Sequence, residues 1–205
     1  MKYLATSFAL AGMVLANPVP ETVAGATSPD TFKIAKVVYG GSGCPQGSIN
    51  VDFTDSRVLP IHFGKDFTAT VGPNADPADS RKNCQINLDL QYSPGFQYSV
   101  LSADYSGWAD IDAGVKGIVR ANYYFSGQTD SATTTMGIQG PWAGKYTKHD
   151  DISVALWSPC GSEAMLNINA DVALTPLGGP GSGTIVANKE SAKFTQSLYV
   201  RWRQC

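Results

Sequence analysis

Beyond its first fifteen residues the sequence has no long apolar run, and nowhere does it show a repeat of fixed period or a cluster of basic residues. The first absence excludes a membrane-spanning helix, which needs about 20 consecutive apolar residues. The second excludes propellers and solenoids. The formal charge of -2 leaves no large basic surface to neutralise phosphates, so nucleic acid and anionic lipid surfaces are not expected partners. With only two histidines and no closely spaced cysteine pair, no metal-ligating pattern is present. No G-x-S-x-G elbow surrounds any serine, and no Asn-x-Ser/Thr acceptor occurs. Glutamate is scarce, three residues against fourteen aspartates, which places most of the acidity in turns and caps, where the short Asp side chain is favoured.

What is present begins with an export signal. Lys2 supplies a positive start, Leu4 to Leu15 are almost continuously apolar, and Val14-Leu15-Ala16 offers small-residue cleavage chemistry, so residues 1–16 are predicted to be a signal peptide. Residues 17–30 hold Pro18, Pro20 and Pro29 and little to bury, and read as a flexible arm. Residues 31–205, about 175 in all, suffice for one well-buried core and are predicted to form a single domain.

That domain reads as all-β. No 3.6-residue amphipathic period follows the signal, whereas alternation with a period of two recurs. In Gln85–Tyr92 the residues Ile86, Leu88, Leu90 and Tyr92 oppose Gln85, Asn87, Asp89 and Gln91. In Ala164–Thr175, Leu166, Ile168, Ala170, Val172 and Leu174 oppose Asn167, Asn169 and Asp171, and the C-terminal segment sets Phe194, Leu198, Val200 and Trp202 against Thr195, Ser197, Tyr199, Arg201 and Arg203. Each pattern fits an antiparallel strand with one dry and one wet face. Further strands are predicted over 32–39, 48–53, 58–63, 67–71, 98–109, 115–125, 132–138 and 152–157. About ten strands separated by Gly, Pro, Asn and Asp suggest a two-sheet antiparallel β-sandwich, jelly-roll-like in character. Asp112-Ala113-Gly114 reads as a hairpin turn and 178–183 as a flexible connection.

Cys44, Cys84, Cys160 and Cys205 form an even set behind the signal, predicting two disulfides. Pairing Cys44 with Cys84 and Cys160 with Cys205 closes two loops of similar size, each worth about 4 kcal/mol in the chain-entropy model. This neighbour pairing is preferred, although the alternative pairings differ by only about 1 kcal/mol in closure entropy.

Several short motifs carry a family resemblance: Gly43-Cys44-Pro45, Ser80-Arg81-Lys82-Asn83-Cys84-Gln85, Pro94-Gly95-Phe96-Gln97-Tyr98, Tyr123-Tyr124-Phe125-Ser126-Gly127, Trp157-Ser158-Pro159-Cys160-Gly161, Leu166-Asn167-Ile168-Asn169 and Trp202-Arg203-Gln204-Cys205. With these in order along the chain, the sequence resembles the secreted, fungal-type proteins of domain-of-unknown-function family 4360. The resemblance implies a small extracellular β protein and supplies no catalytic residue.

The residues themselves assign no catalytic group, metal or cofactor. His149-Asp150-Asp151 is the densest polar cluster, and an imidazole beside two carboxylates has the composition of an acid/base pair or a metal site. A solvated turn ahead of the strand at Ile152 is the simpler expectation. Asp104, Asp110 and Asp112 are close in sequence, and Asp110 and Asp112 would share a strand face. They lack the alternating Glu/Asp trio of jelly-roll glycan hydrolases. Gly140 to Tyr146 reads as a loop exposing Trp142, which with Tyr146, His149, Asp150 and Asp151 makes a candidate binding loop. Trp157 and Trp202, beside cysteines, read as core or disulfide packing, and His62 as a half-buried strand residue.

Export, disulfides and the lack of a complete catalytic set point to a secreted, extracellular, monomeric binding protein whose partner is a cell-wall glycan or a host protein. The alternatives are a carbohydrate-active hydrolase or lyase whose acids converge only on folding, and a protease inhibitor acting through an exposed loop.

Overall fold

The computed structural model describes residues 28–52, 56–186 and 194–205. The expected signal peptide, and all but the last three residues of the expected arm, lie outside the described residues. Among the described residues eleven strands are formed, all antiparallel: β1 (Phe32–Gly40), β2 (Ile49–Val51), β3 (Val58–Phe63), β4 (Ala69–Val71), β5 (Arg81–Ile111), β6 (Val115–Phe125), β7 (Ser131–Gln139), β8 (Trp142–Trp157), β9 (Gly161–Pro176), β10 (Gly183–Val186) and β11 (Phe194–Gln204). A 3₁₀ turn, Pro77–Ser80, is capped by Asp76, whose carboxylate accepts from Ala78 N.

β5 organises the molecule. The segments expected as two strands, 85–92 and 98–109, are one 31-residue strand that serves both sheets. Its N-terminal half lies between β1 and β9, giving the order β1-β5-β9-β6-β7 in the first sheet. After an irregularity at Pro94-Gly95, its C-terminal half lies between β11 and β8, giving β2-β3-β11-β5-β8 in the second. Near Ile111, β10 replaces β11 as the neighbour of β5 and carries β4 beyond it. A strand that bends from one sheet into the other is a usual corner in sandwiches, where the local break in register absorbs the change of direction.

The same period-two pattern fills one interior. Leu88, Ile86, Ile168, Leu166, Tyr123 and Phe125 from the first sheet meet Tyr98, Tyr105, Leu198, Phe194, Ile61 and Phe63 from the second, all within 2 % of full burial. Tyr98 and Phe125 meet edge-to-face at 5.1 Å across the two layers. A polar thread crosses this core: Tyr105 Oη and Tyr123 Oη meet Thr134 Oγ1, the latter at 3.1 Å, and Gln196 Nε2 donates to Tyr123 Oη. The three hydroxyls and the Gln196 amide nitrogen are buried and paired, which avoids the cost of unsatisfied donors and fixes the relative position of the sheets, while Gln196 Oε1 is buried without a hydrogen-bond partner among the described residues.

Two local expectations are corrected. The Asp112–Gly114 turn is tight, with Val115 N donating to Asp112 O at 3.2 Å and Gly114 at φ +81° where a side chain would be strained. It joins β5 of the second sheet to β6 of the first and is no hairpin, because β6 pairs with β7 and β9. Gly140 to Tyr146 is no loop: Gly140-Pro141 is a two-residue link, and β8 begins at Trp142 and pairs with β5 down to Ser99. As an edge strand β8 tolerates the glycine and the neighbouring proline that resembled loop punctuation.

Candidate functional site

The outward face of β11, β5 and β8 collects most of the chemistry that the sequence scatters. On β5, Trp108, Ser106, Asp104 and Ser102 alternate with inward Ala109, Tyr105 and Ala103. Register then sets their neighbours. Ser106 lies between Thr195 of β11 and Thr147 of β8, Asp104 between Ser197 and His149, and Ser102 between Tyr199 and Asp151. Trp108 faces Lys145, and Ser99 lies between Arg201 and Trp157.

At the centre, His149 Nδ1 sits 2.5 Å from Asp104 Oδ1 and its Nε2 sits 3.1 Å from Asp151 Oδ1. Tyr199 Oη donates to the other Asp104 oxygen at 2.6 Å. A carboxylate at each ring nitrogen favours the charged form of the imidazole. Hydrogen bonds to Asp104 and then Asp151 raise its pKa above the usual 6.5, against a smaller opposing effect of desolvation. Burial alone would push the Asp104 carboxyl up, but the hydrogen bonds from Tyr199 and His149 outweigh it and hold the group below 3.8. The same bond raises the Tyr199 hydroxyl.

Stability linkage follows from these directions. His149 binds its proton more tightly when folded, so its contribution is complete below pH 6.5 and fades as pH rises through the folded value. Asp104 contributes fully above pH 3.8 and loses its share as pH falls through its depressed value. The cluster therefore supports the fold best between pH 3.8 and 6.5. An NMR titration of the His149 ring is expected to give a midpoint above 6.5, and Asp104→Asn is expected to move it down. An unmoved midpoint in that variant would show that the Asp104 contact is not made in solution.

One end of this face is basic and aromatic. The guanidinium carbons of Arg203 and Arg201 lie 3.8 and 5.0 Å from the centroid of the Trp157 ring. Trp157 therefore differs from the expectation of core packing: it is half-buried on the outer surface, whereas Trp202 is in the core.

The residues of the expected binding loop are separated by the strand they occupy. Trp142, 39 % exposed, stands at the start of β8. Tyr146 points inward and is buried, which pushes its hydroxyl pKa well up. Asp150 turns toward β7 and accepts from Thr135 N at 2.5 Å. Only His149 and Asp151 reach the central cluster. Of the acids weighed with them, Asp104 joins it, Asp110 lies six residues along β5, about 20 Å away, and Asp112 accepts from Ser182 N at 2.9 Å. His62 sits on this face too, its Nδ1 3.0 Å from Thr195 Oγ1. The sequence assigns Tyr199, Arg201 and Arg203 no role beyond the wet face of the C-terminal alternation, and assigns Trp157 only to core or disulfide packing. Among the described residues no group of three or more His, Cys, Asp or Glu side chains is placed to hold a metal ion.

The opposite face, on the outside of β5, β9 and β6, is largely self-satisfied. Asn87 Nδ2 donates to Asn167 Oδ1, Asn167 Nδ2 reaches Ser126 Oγ at 3.0 Å, Asn122 Nδ2 reaches Thr133 Oγ1 at 3.0 Å, and both Arg120 and Arg81 converge on Asp171.

The disulfides join Cys44 to Cys84 and Cys160 to Cys205. The first is fully buried where the connection between β1 and β2 meets the start of β5, and the second ties the chain just after β8 to the C-terminus of β11. Among the described residues no helix is long and apolar enough to cross a membrane.

These features define a disulfide-stapled antiparallel β-sandwich with a polar and aromatic surface on one open sheet. The chain belongs to the family described as domain of unknown function (DUF4360), whose model matches residues 30–205. A protein of Arthroderma benhamiae described as an uncharacterized secreted protein is 40 % identical over 182 residues, covering 88 % of this chain and 74 % of its own. This chain is likewise a secreted protein. Among solved structures, TmCBM61 in complex with β-1,4-galactotriose covers 84 % of this chain and 91 % of its own at 9 % identity and a TM-score of 0.28. A chain of deformed wing virus, a honeybee pathogen, covers 100 % and 58 % at 14 % identity and a TM-score of 0.22. Likenesses this slight define neither fold nor ligand.

Proposed function

We propose that this is an extracellular glycan-binding protein and that the outward face of β11, β5 and β8 is its binding surface. The observation that carries this reading is the row of partly exposed rings along that face with hydroxyls between them. Trp108, the His149–Tyr199 pair and Trp157 are spread over nine residues of β5, about 30 Å, long enough for several sugar units. Between them Ser106, Thr147 and Ser197 place hydroxyls that make no side-chain hydrogen bond to another described residue, so they remain available as donors and acceptors. Rings give sugars an apolar platform, and hydroxyls on a rigid sheet satisfy sugar hydroxyls without ordering a loop. Of the exposed large hydrophobics among the described residues, Val38, Met165 and Leu177 lie on other strands and connections, while Leu101 of β5 and Trp142 of β8, the latter paired with Ile111, stand ten residues apart along β5 and make no contiguous apolar patch of the kind a protein partner would bury.

Co-sedimentation with insoluble chitin, β-glucan, cellulose and calcium pectate tests the reading. The protein is expected to be retained on at least one of them. Tyr199→Ala is expected to weaken that retention about tenfold, the effect of losing about 1.4 kcal/mol of contact. Asn122→Ala, on the opposite face, is expected to leave it unchanged. No retention on any matrix, or equal loss in both variants, would contradict it.

A further inference from the structure

We infer that the Trp157 end of this face is a carboxylate-binding subsite, so that the glycan taken is a uronic-acid-containing one. The inference rests on the glycan reading above and adds to it the chemical class of the sugar. Arg201 and Arg203 are two residues apart on the outward side of β11, both exposed, and both guanidinium groups lie against the Trp157 ring. Among the described residues neither guanidinium meets a carboxylate: the one side-chain hydrogen bond of the pair runs from Arg203 Nη2 to Gln97 Oε1 at 3.3 Å. Elsewhere on the surface, Arg81 and Arg120 share Asp171, and Lys82 meets Asp79 at 2.7 Å.

Two neighbouring cations without a counter-ion repel each other, and an anion placed between them relieves that repulsion. Stacking on an indole uses the face of a guanidinium and leaves its N–H edge outward, which is the edge that grips a carboxylate in two parallel hydrogen bonds. The platform is also fixed before any ligand arrives. Trp157 is held in register opposite Ser99, the adjacent Ser158 exchanges hydrogen bonds with Tyr98 N and O, and Cys160–Cys205 joins the chain three residues after Trp157 to that two residues after Arg203. An exposed disulfide at that place holds the aromatic plate and the two arginines together, so little side-chain freedom remains to be lost on binding.

Isothermal titration calorimetry of the full protein with an oligogalacturonide, with the same oligomer after reduction of its carboxyls to alcohols, and with a sulfated neutral oligosaccharide tests this. The oligogalacturonide is expected to bind about tenfold or more tightly than its reduced form, as charge-assisted hydrogen bonds require. The double variant Arg201→Gln/Arg203→Gln is expected to lose that difference while keeping the affinity for the reduced oligomer. Trp157→Leu, which removes the plate but neither charge, is expected to lose part of it, with far-ultraviolet dichroism confirming the fold in each variant. Equal affinity for the acidic and reduced oligomers, or a preference retained in the double variant, overturns the subsite alone. Tighter binding of the sulfated sugar overturns the carboxylate assignment. Binding of none of the three overturns the subsite, and the glycan reading falls with it only when the co-sedimentation also shows retention on no matrix.

Discussion

Replacing both Cys44 and Cys84 by serine is expected to lower the melting temperature by about 10 °C. The bond closes a separation of 40 residues, for which chain entropy gives about 4 kcal/mol, and in a domain of this size each kcal/mol is worth about 2–4 °C. Both sulfurs are fully buried, so the variant also places two hydroxyls where sulfur met apolar groups. The surrounding chain has no room to adjust: a Cβ on Gly41 would lie 2.3 Å from Asn83 O, and Gly43 N donates to that same carbonyl at 2.9 Å. Cys160→Ser/Cys205→Ser removes a bond of similar span, 45 residues, but from an exposed site that leaves no buried polar group behind. It is expected to cost less by calorimetry, and an equal or larger loss there would contradict this ranking.

Trp202→Ala is expected to destabilise the fold by about 3–5 kcal/mol, the usual range for truncating a buried tryptophan. Its ring is 4 % exposed and packs at 6.0 Å from Phe32, 5.0 Å from Tyr92 and 5.1 Å from Tyr98, so it ties β11 to the first strand and to both halves of β5. Its Nε1 also donates to Ser56 O at 2.6 Å. Trp202→Phe keeps most of the packing and forfeits that hydrogen bond, and is expected to cost only about 1–2 kcal/mol. Urea unfolding separates the two: the midpoint should fall in the order wild type, Phe, Ala at constant slope. Identical midpoints for the Ala variant and wild type would remove Trp202 from the core described here.

Where alternation is unbroken, strands are legible from sequence, as with Val58–Phe63 and Val115–Phe125, which form over the residues expected. Glycine and proline mislead at two places. Pro94-Gly95 resembles the end of one strand and the start of another, yet it is a corner inside β5, because a break in register does not require a break in pairing. Gly140-Pro141 and Gly144 resemble a loop, yet an edge strand donates to one neighbour only and so accommodates them. β10, four residues long, gives too short a signal to read against the glycine-rich connection before it.

The site was half legible for a related reason. His149 and Asp151 are adjacent on one strand face and stand out locally, whereas Asp104 is 45 residues from His149, and Tyr199 is 95 from Asp104. Nothing in a period-two pattern reports which strands are neighbours or by how many residues they are offset. The wet side of the last strand did display Tyr199, Arg201 and Arg203 on one face. Their meeting with Trp157 depends on the pairing of β11 and β8 with the same stretch of β5.

The central claim is that a uronic-acid-containing glycan lies along β11, β5 and β8. The most direct measurement is a nitrogen-proton NMR titration of the isotope-labelled protein with an oligogalacturonide. The account predicts shifts concentrated at Ser106, Thr147, His149, Ser197, Tyr199, Arg201, Arg203 and the Trp157 indole, with Asn122, Asn167 and Asn169 unmoved. Shifts centred on those asparagines would contradict it, as would a spectrum unaltered at saturating sugar.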